Sequence, residues 1–385
     1  MRLLISAGGT GGGVYPALAV ASELLGGGSS GQAARDEVLW IGGLGGMEAE
    51  LVRRAGVPFE AIHAGGVHGV GWRLPLNALN LARGFFEALR LVRSFEPEAV
   101  LVTGGFVAAP VALAAWLSRA PVVVYLPDIE PALAVRAVSR LARKIAVTVE
   151  ESRRYFPKGA GTAGATGKLV VTGYPVRPEL ASATRAQGVQ ELGLDPRRPT
   201  VLVTGGSRGA RSLNRAVVAA LPVWLKRCQV LHLSGQTDWA ETRQAQAALP
   251  GGLREHYHAR PFLHEMGWAL AAADLAVSRA GASTLGEYPL FGLPAVLVPY
   301  PYAWRYQKVN ADYLAARGAA IRLDDDETLA TRLASEVLGL LDDPARLNQM
   351  RLAAQAAARP GAAGRIAQEL RALGRQQARG ASNQP

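Results

Sequence analysis

The sequence predicts an α/β protein made of two doubly wound parallel sheets, and three observations carry that prediction. The string VLVTGG occurs at Val100–Gly105 and again at Val201–Gly206, with a looser copy, LLISAGG, at Leu3–Gly9. Each copy passes from a strand-length apolar run through a glycine turn into a helical pattern. Finally, 385 residues exceed one ordinary core and suit two α/β domains of about 150 to 200 residues each.

Taken in order, the first copy leads through GGTGGG to ALAVASELL, with Pro16 where a helix would begin. Gly26 to Asp36 (GGGSSGQAARD) is expected to be a flexible surface loop. EVLWIGG is the next strand, GWRLPLNALNLARGFFEALRLVRSF a long helix, and VLVTGG a strand whose helix follows Pro110. APVVVYL then precedes the helical PALAVRAVSRLARK. A polar, proline-containing step, TGYPVRPEL at Thr172–Leu180, marks the boundary. Beyond it the unit restarts with VLVTGG and RSLNRAVVAAL, followed by strands in QVLHLSG, DLAVS and AVLVPY. The expected organisation is a first domain over 1–175, a second over 176–357, a C-terminal helix over 358–375 returning to the first domain, and a disordered tail over 376–385.

Composition narrows the function classes. A single cysteine, Cys228, makes neither an internal disulfide nor a thiolate zinc cage, which fits a reducing compartment. The net charge of +11, mostly from arginine, suits anionic partners such as phosphates or an acidic membrane surface. The arginines are spread over many predicted helices with no aromatic recognition surface, so nucleic acid is not an expected partner. There is no uninterrupted apolar run of about 18 residues, and the chain is not expected to span a bilayer.

A glycine turn between strand and helix aims backbone N–H groups at the positive end of the helix dipole, where a pyrophosphate fits; such turns also serve simply to pack a helix close to its strand. GGTGGG is not the G-x-G-x-x-G order, and no acidic residue closes EVLWIGG to hold an adenosine ribose, which argues against a nicotinamide enzyme. In the second half, SRAGASTLGE (Ser278–Glu287) places the amides of Ala282, Ser283 and Thr284 where a phosphate could sit. Glu287, one turn further on, could accept from both hydroxyls of a ribose or could simply be a first-turn acid.

On these residues the chain resembles the MurG-type UDP-N-acetylglucosamine transferases, which add the second sugar to the lipid-linked peptidoglycan precursor. GGTGGGVYPALAVA, VLVTGGFVAAP and VLVTGGSRGARSLN resemble that family's three glycine loops, and GYPVR its step between domains. SRAGASTLGE followed by GLPAVLVPYPYAWRYQKVNA matches its donor site in order and spacing. The resemblance implies two Rossmann-like domains facing a cleft, the GT-B type, and inverting transfer of N-acetylglucosamine from UDP-GlcNAc to an undecaprenyl-diphospho-muramoyl-peptide. No cofactor or metal is expected, and UDP-GlcNAc is a substrate. It assigns Glu287 to the donor ribose, Gln307 to the sugar hydroxyls, Arg177 and Gly206, Ser207, Arg208 and Gly209 to the diphosphate region, and Asn310 a supporting place. Thr10, Gly11 and Gly12 join the donor set, while Gly12, Gly13, Gly104 and Gly105 belong to the acceptor and diphosphate side.

The chain departs from the family pattern at Gly13, where the family has His; at Tyr125 to Asp128, where it has His-Glu-Gln-Asn; at Tyr306, where it has the first of two glutamines; and at Arg208, where it has Gln. An inverting transfer needs a base for the attacking hydroxyl. Asp128 is the first candidate and Glu130 the second, both just past a strand's carboxyl end, although either could instead cap the helix that follows. His68, in GGVHGVGW, is a third candidate, near the position of Gly13.

Between Gly71 and Phe95, Trp72, Leu76, Leu79, Phe85 and Phe86 are bordered by Arg73, Arg83 and Arg90, a composition suited to the headgroup layer as well as to an ordinary packed helix. The expected location is therefore cytoplasmic, peripheral on the inner face of the bacterial membrane. Three other readings compete: a related UDP-sugar transferase with another lipid acceptor, a UDP-sugar epimerase on a similar double-sheet fold, and a sugar-nucleotide-binding protein that has lost catalysis.

Overall fold

Parallel strands form wherever the sequence places an unbroken apolar run before a glycine turn, because sheets covered by helices on both faces bury both sides of every strand. The computed structural model describes residues 1–9, 11–26, 36–64, 74–156, 167–206, 209–302 and 305–382. Within them the chain divides into two compact units, Met1–Arg177 with Pro360–Pro385, and Pro178–Arg359.

The first unit contains β1 (Arg2–Ala7), β2 (Glu37–Gly43), β3 (Phe59–Ile62), β4 (Ala99–Gly104), β5 (Val122–Leu126), β6 (Lys144–Val147) and β7 (Leu169–Val171). They form one parallel sheet in the order β3-β2-β1-β4-β5-β6-β7. One face packs Leu3, Ile5 and Trp40 against the helix Gly11–Leu25, and the other packs Leu4, Val100 and Val102 against the helices Leu74–Phe95 and Ala108–Leu117.

The second unit contains β8 (Thr200–Thr204), β9 (Gln229–Leu233), β10 (Tyr257–Arg260), β11 (Leu275–Ser278), β12 (Ala295–Leu297) and β13 (Ala320–Arg322), in the order β10-β9-β8-β11-β12-β13. All its pairings are parallel. The helix Arg211–Trp224 buries Leu213, Val217, Leu221 and Trp224 against this sheet.

Two expectations are corrected. The first helix begins at Gly11, not at Pro16, which lies inside it. Proline in the second turn forfeits the bond to the Gly12 carbonyl four residues back, a cost confined to the start of the helix. The C-terminal helix runs from Ala362 to Ser382, through the stretch expected to be a disordered tail. Its Ile366, Ala367, Leu370 and Leu373 join the core of the first unit, Arg371 meets Asp36 at 2.8 Å, and Gln377 donates to Arg119 O at 2.9 Å. These contacts anchor the helix, which continues to Ser382 where composition alone suggested a free end.

Candidate active site

Strand order reverses once in each sheet, between β1 and β4 and between β8 and β11. At such a reversal the crossovers leave in opposite directions, opening a crevice beyond the carboxyl ends of two strands. All four turns singled out in the sequence lie at these two points. The first glycine turn follows β1, the second β4, the third β8, and the Ser278–Glu287 turn β11.

In the first unit the two glycine turns meet backbone to backbone. Gly105 has φ +85°, and a Cβ there would lie 2.4 Å from Gly8 O, so no other residue fits without movement. Gly13 is buried, and a Cβ on it would stand 3.2 Å from Thr103 Oγ1; the departure from His thus accompanies close packing of the helix start on β4. Arg177, the last residue of this unit, lies with its guanidinium carbon 4.5 Å from the ring centre of Tyr15, beside the first turn. Sequence reasoning missed Glu48, which is 1% exposed and accepts from Gly43 N at 2.9 Å. A Cβ at Gly8 would come within 2.6 Å of its Oε1, so Glu48 is packed beneath the turn. Nothing in EAELVRR sets it apart from an ordinary first-turn acid.

Asp128 and Glu130 follow β5, with Asp128 half-buried and Glu130 only 7% exposed. Neither occupies the N-cap of the next helix, Leu133–Val138, a position held by Ala132. Tyr125 faces the core: it is fully buried, its hydroxyl is 2.8 Å from Thr148 Oγ1, and burial pushes its phenol well above the usual pKa.

In the second unit, Ala282–Leu285 forms one turn of 3-10 helix and a separate short helix begins at Glu287. The amide of Thr284 is spent on Gly281 O at 3.0 Å, a correction to the expectation that it faces a ligand. Ala282 and Ser283 hold the first amides of the turn, which have no partner within it. Glu287, half-buried, starts its helix and so is also where the helix dipole favours an acid. Asn310 is fully buried and donates from Nδ2 to Ala280 O at 3.1 Å, holding the turn from behind. Gln307 Oε1 accepts from Tyr300 N at 2.9 Å.

The third glycine turn rests on the turn after β9. A Cβ at Gly209, φ +76°, would lie 2.6 Å from Ser234 O. That carbonyl accepts from Asn214 Nδ2 at 2.9 Å, and Asn214 Oδ1 is 3.0 Å from His232 Nε2, whose Nδ1 is 2.8 Å from the Tyr257 hydroxyl. Because Nδ2 serves Ser234 O and Asp238 Oδ2, Oδ1 must face the imidazole. His232 therefore donates from Nε2 and accepts the Tyr257 proton at Nδ1 as a neutral ring. Burial depresses its pKa to about 4.

In the helix Leu74–Phe95, Leu79 and Phe86 are 67% and 66% exposed and share one stripe with Ala82, Arg83 and Arg90. Phe85 lies one residue round the helix and packs against the sheet core, which removes it from the expected membrane face. Glu87 anchors the helix by accepting from His63 N at 2.8 Å. Among the described residues no helix is long and apolar enough to cross a membrane, and no cluster of His, Cys, Asp and Glu could hold a metal. Thr10, His68, Trp72, Arg73, Ser207, Arg208 and the side chain of Leu76 lie outside the described residues.

Residues 3–147 match the glycosyltransferase family 28 N-terminal domain and residues 200–366 the glycosyltransferase family 28 C-terminal domain. A UDP-N-acetylglucosamine–N-acetylmuramyl-(pentapeptide) pyrophosphoryl-undecaprenol N-acetylglucosamine transferase of Roseiflexus sp. (strain RS-1) is 42% identical, over 95% of this chain and 94% of its own. The like-named protein of Symbiobacterium thermophilum is 39% identical over 98% and 97%. A crystal structure of Acinetobacter baumannii MurG superposes with a TM-score of 0.71 at 28% identity, covering 96% of this chain and 99% of the other.

Proposed function

The chain belongs to glycosyltransferase family 28, with the GT-B-like pair of parallel-sheet units that family uses, and from that premise we propose that it transfers N-acetylglucosamine from UDP-GlcNAc to undecaprenyl-diphospho-N-acetylmuramoyl-pentapeptide. One observation supports this above the rest: the third glycine turn and the Ser278–Glu287 turn flank a single strand-order reversal, with Glu287 and Gln307 on the segments leaving that edge. The amides of Ala282 and Ser283 and the third turn, Gly206 to Gly209, meet the diphosphate, Glu287 the ribose, and Gln307 the sugar.

In the reaction an acceptor hydroxyl attacks the anomeric carbon, the bond from that carbon to the UDP oxygen breaks, and the configuration inverts. The leaving diphosphate gains negative charge, which amides at the turns after β8 and β11 stabilise. The hydroxyl proton passes to Asp128, the more exposed of the two carboxylates after β5. Substrate and acceptor suffice for this chemistry, with UDP-GlcNAc a substrate and not a cofactor. The stripe of Leu79, Ala82 and Phe86 bordered by Arg83 and Arg90 suits an anionic membrane surface, and it supports the reading of a peripheral enzyme on the cytoplasmic face, where a lipid-linked acceptor is presented.

The deciding experiment is a screen of radiolabelled UDP sugars with a lipid acceptor, repeated with Glu287→Ala, Gln307→Ala and Asp128→Asn. Glu287→Ala and Gln307→Ala should chiefly raise the donor KM and Asp128→Asn lower kcat. Absence of transfer from any UDP sugar by the unsubstituted chain would refute the proposal.

A further inference from the structure

Arg279, directly after β11, is the one charged residue of the small-residue turn that the reading above leaves unused. Its side chain is 8% exposed. Nη1 lies 2.8 Å from Asp325 Oδ2 and donates to Val298 O at 3.1 Å. Nη2 donates to Ser212 Oγ at 2.8 Å, and Ser212 Oγ donates to Asp325 Oδ2 at 2.7 Å. The guanidinium carbon stands 5.4 Å from the ring centre of Tyr300. Asp325 beside it balances the charge, and both Nη1 and Nη2 donate to the protein.

These contacts reach both ends of Val298–Tyr300, the stretch that leaves β12 toward the helix Tyr306–Ala316. Tyr300 N in turn donates to Gln307 Oε1 at 2.9 Å. Because a backbone N–H requires an acceptor, the amide orientation of Gln307 is set: oxygen toward Tyr300, Nε2 away from it.

We infer that Arg279 is a positioning residue for the sugar end of the donor: it fixes the Val298–Tyr300 turn, the turn fixes the Gln307 amide, and Gln307 Nε2 is thereby presented as a donor to a sugar oxygen. The inference rests on the reading of Gln307 as a sugar-binding residue. A guanidinium is required because a planar fork serves Asp325, Val298 and Ser212 together while presenting a flat face to Tyr300; lysine keeps the charge but has neither fork nor face.

The test is calorimetry on the full chain, titrating UDP and UDP-GlcNAc separately. Arg279→Lys should leave UDP affinity within about twofold and weaken UDP-GlcNAc roughly fivefold to tenfold, the scale of one misplaced hydrogen bond. In a Gln307→Ala background the same change should add no further loss, because the two residues act as one arm. Tyr300→Ala keeps the backbone N–H but removes the ring, and the 44% exposure of Tyr300 lets the fold tolerate it. It should give a smaller loss of the same kind, and it decides by the same criteria should Arg279→Lys fail to fold. Equal weakening of UDP and UDP-GlcNAc, no weakening of either, or a full additional loss on top of Gln307→Ala would overturn the inference while leaving the donor site standing. Absence of UDP binding by the unsubstituted chain would overturn the donor reading and this inference with it.

Discussion

His232 makes the second unit acid-sensitive by a calculable amount. The ring is fully buried, held neutral between Tyr257 and Asn214, and its pKa is depressed from 6.5 to about 4 by burial. Its folded pKa lies below its unfolded one, so between those values the unfolded chain binds more protons and stability falls as pH falls. The stability is fully present above about pH 6.5 and is lost progressively toward pH 4. Between pH 7 and pH 5 the unfolded imidazole becomes almost wholly protonated while the folded one stays neutral, which costs about 2 kcal/mol at roughly 1.4 kcal/mol per unit. The perturbation is His232→Gln, which fills a similar space with a group that does not titrate. Urea unfolding of both proteins at pH 7 and pH 5, followed by circular dichroism, isolates the effect, because every other titrating group is shared. His232→Gln should be less stable at pH 7, having lost the fitted bonds, but its stability should fall by about 2 kcal/mol less than that of the unsubstituted chain on going to pH 5. Equal falls in the two proteins would refute the assignment of a buried neutral imidazole.

Gly105→Ala should destabilise the first unit by more than 1 kcal/mol, read as a lowered melting temperature, because the added methyl meets Gly8 O and the backbone sits at φ +85°. Asn310→Ala should cost about 1 to 3 kcal/mol and raise the donor KM, since Ala280 O loses its buried donor; kinetics with UDP-GlcNAc check it. Leu79→Glu combined with Phe86→Glu should reduce flotation with anionic vesicles more than tenfold without changing the melting temperature, as both side chains are exposed. Asp128→Asn should lower kcat at least a hundredfold with little change in donor KM, measured by radiolabel transfer, if the carboxylate takes the acceptor proton.

The strand–turn–helix repeat, the parallel sheets and their alternation with helices were legible from the sequence, because each rests on local demands: apolar runs for strands buried on both faces, glycine where the backbone must turn left-handed or approach closely, and a 3.6-residue period for helices. The resemblance of SRAGASTLGE and the glycine turns likewise needed only residues adjacent in the chain. What required the tertiary structure was everything set by strand order and by contact between distant segments. Composition made the last ten residues a loose tail, yet the helix Ala362–Ser382, anchored on the first unit by Ile366, Ala367, Leu370 and Leu373, continues into it. Phe85 looked like a membrane residue until the helix turned it to the sheet. Glu48 beneath Gly8, the Tyr257–His232–Asn214 chain and Arg279 joined to Asp325 gave no sequence signal. Their partners lie on separate elements, and only the order in which the strands pair brings polar groups so far apart in the chain within hydrogen-bonding distance.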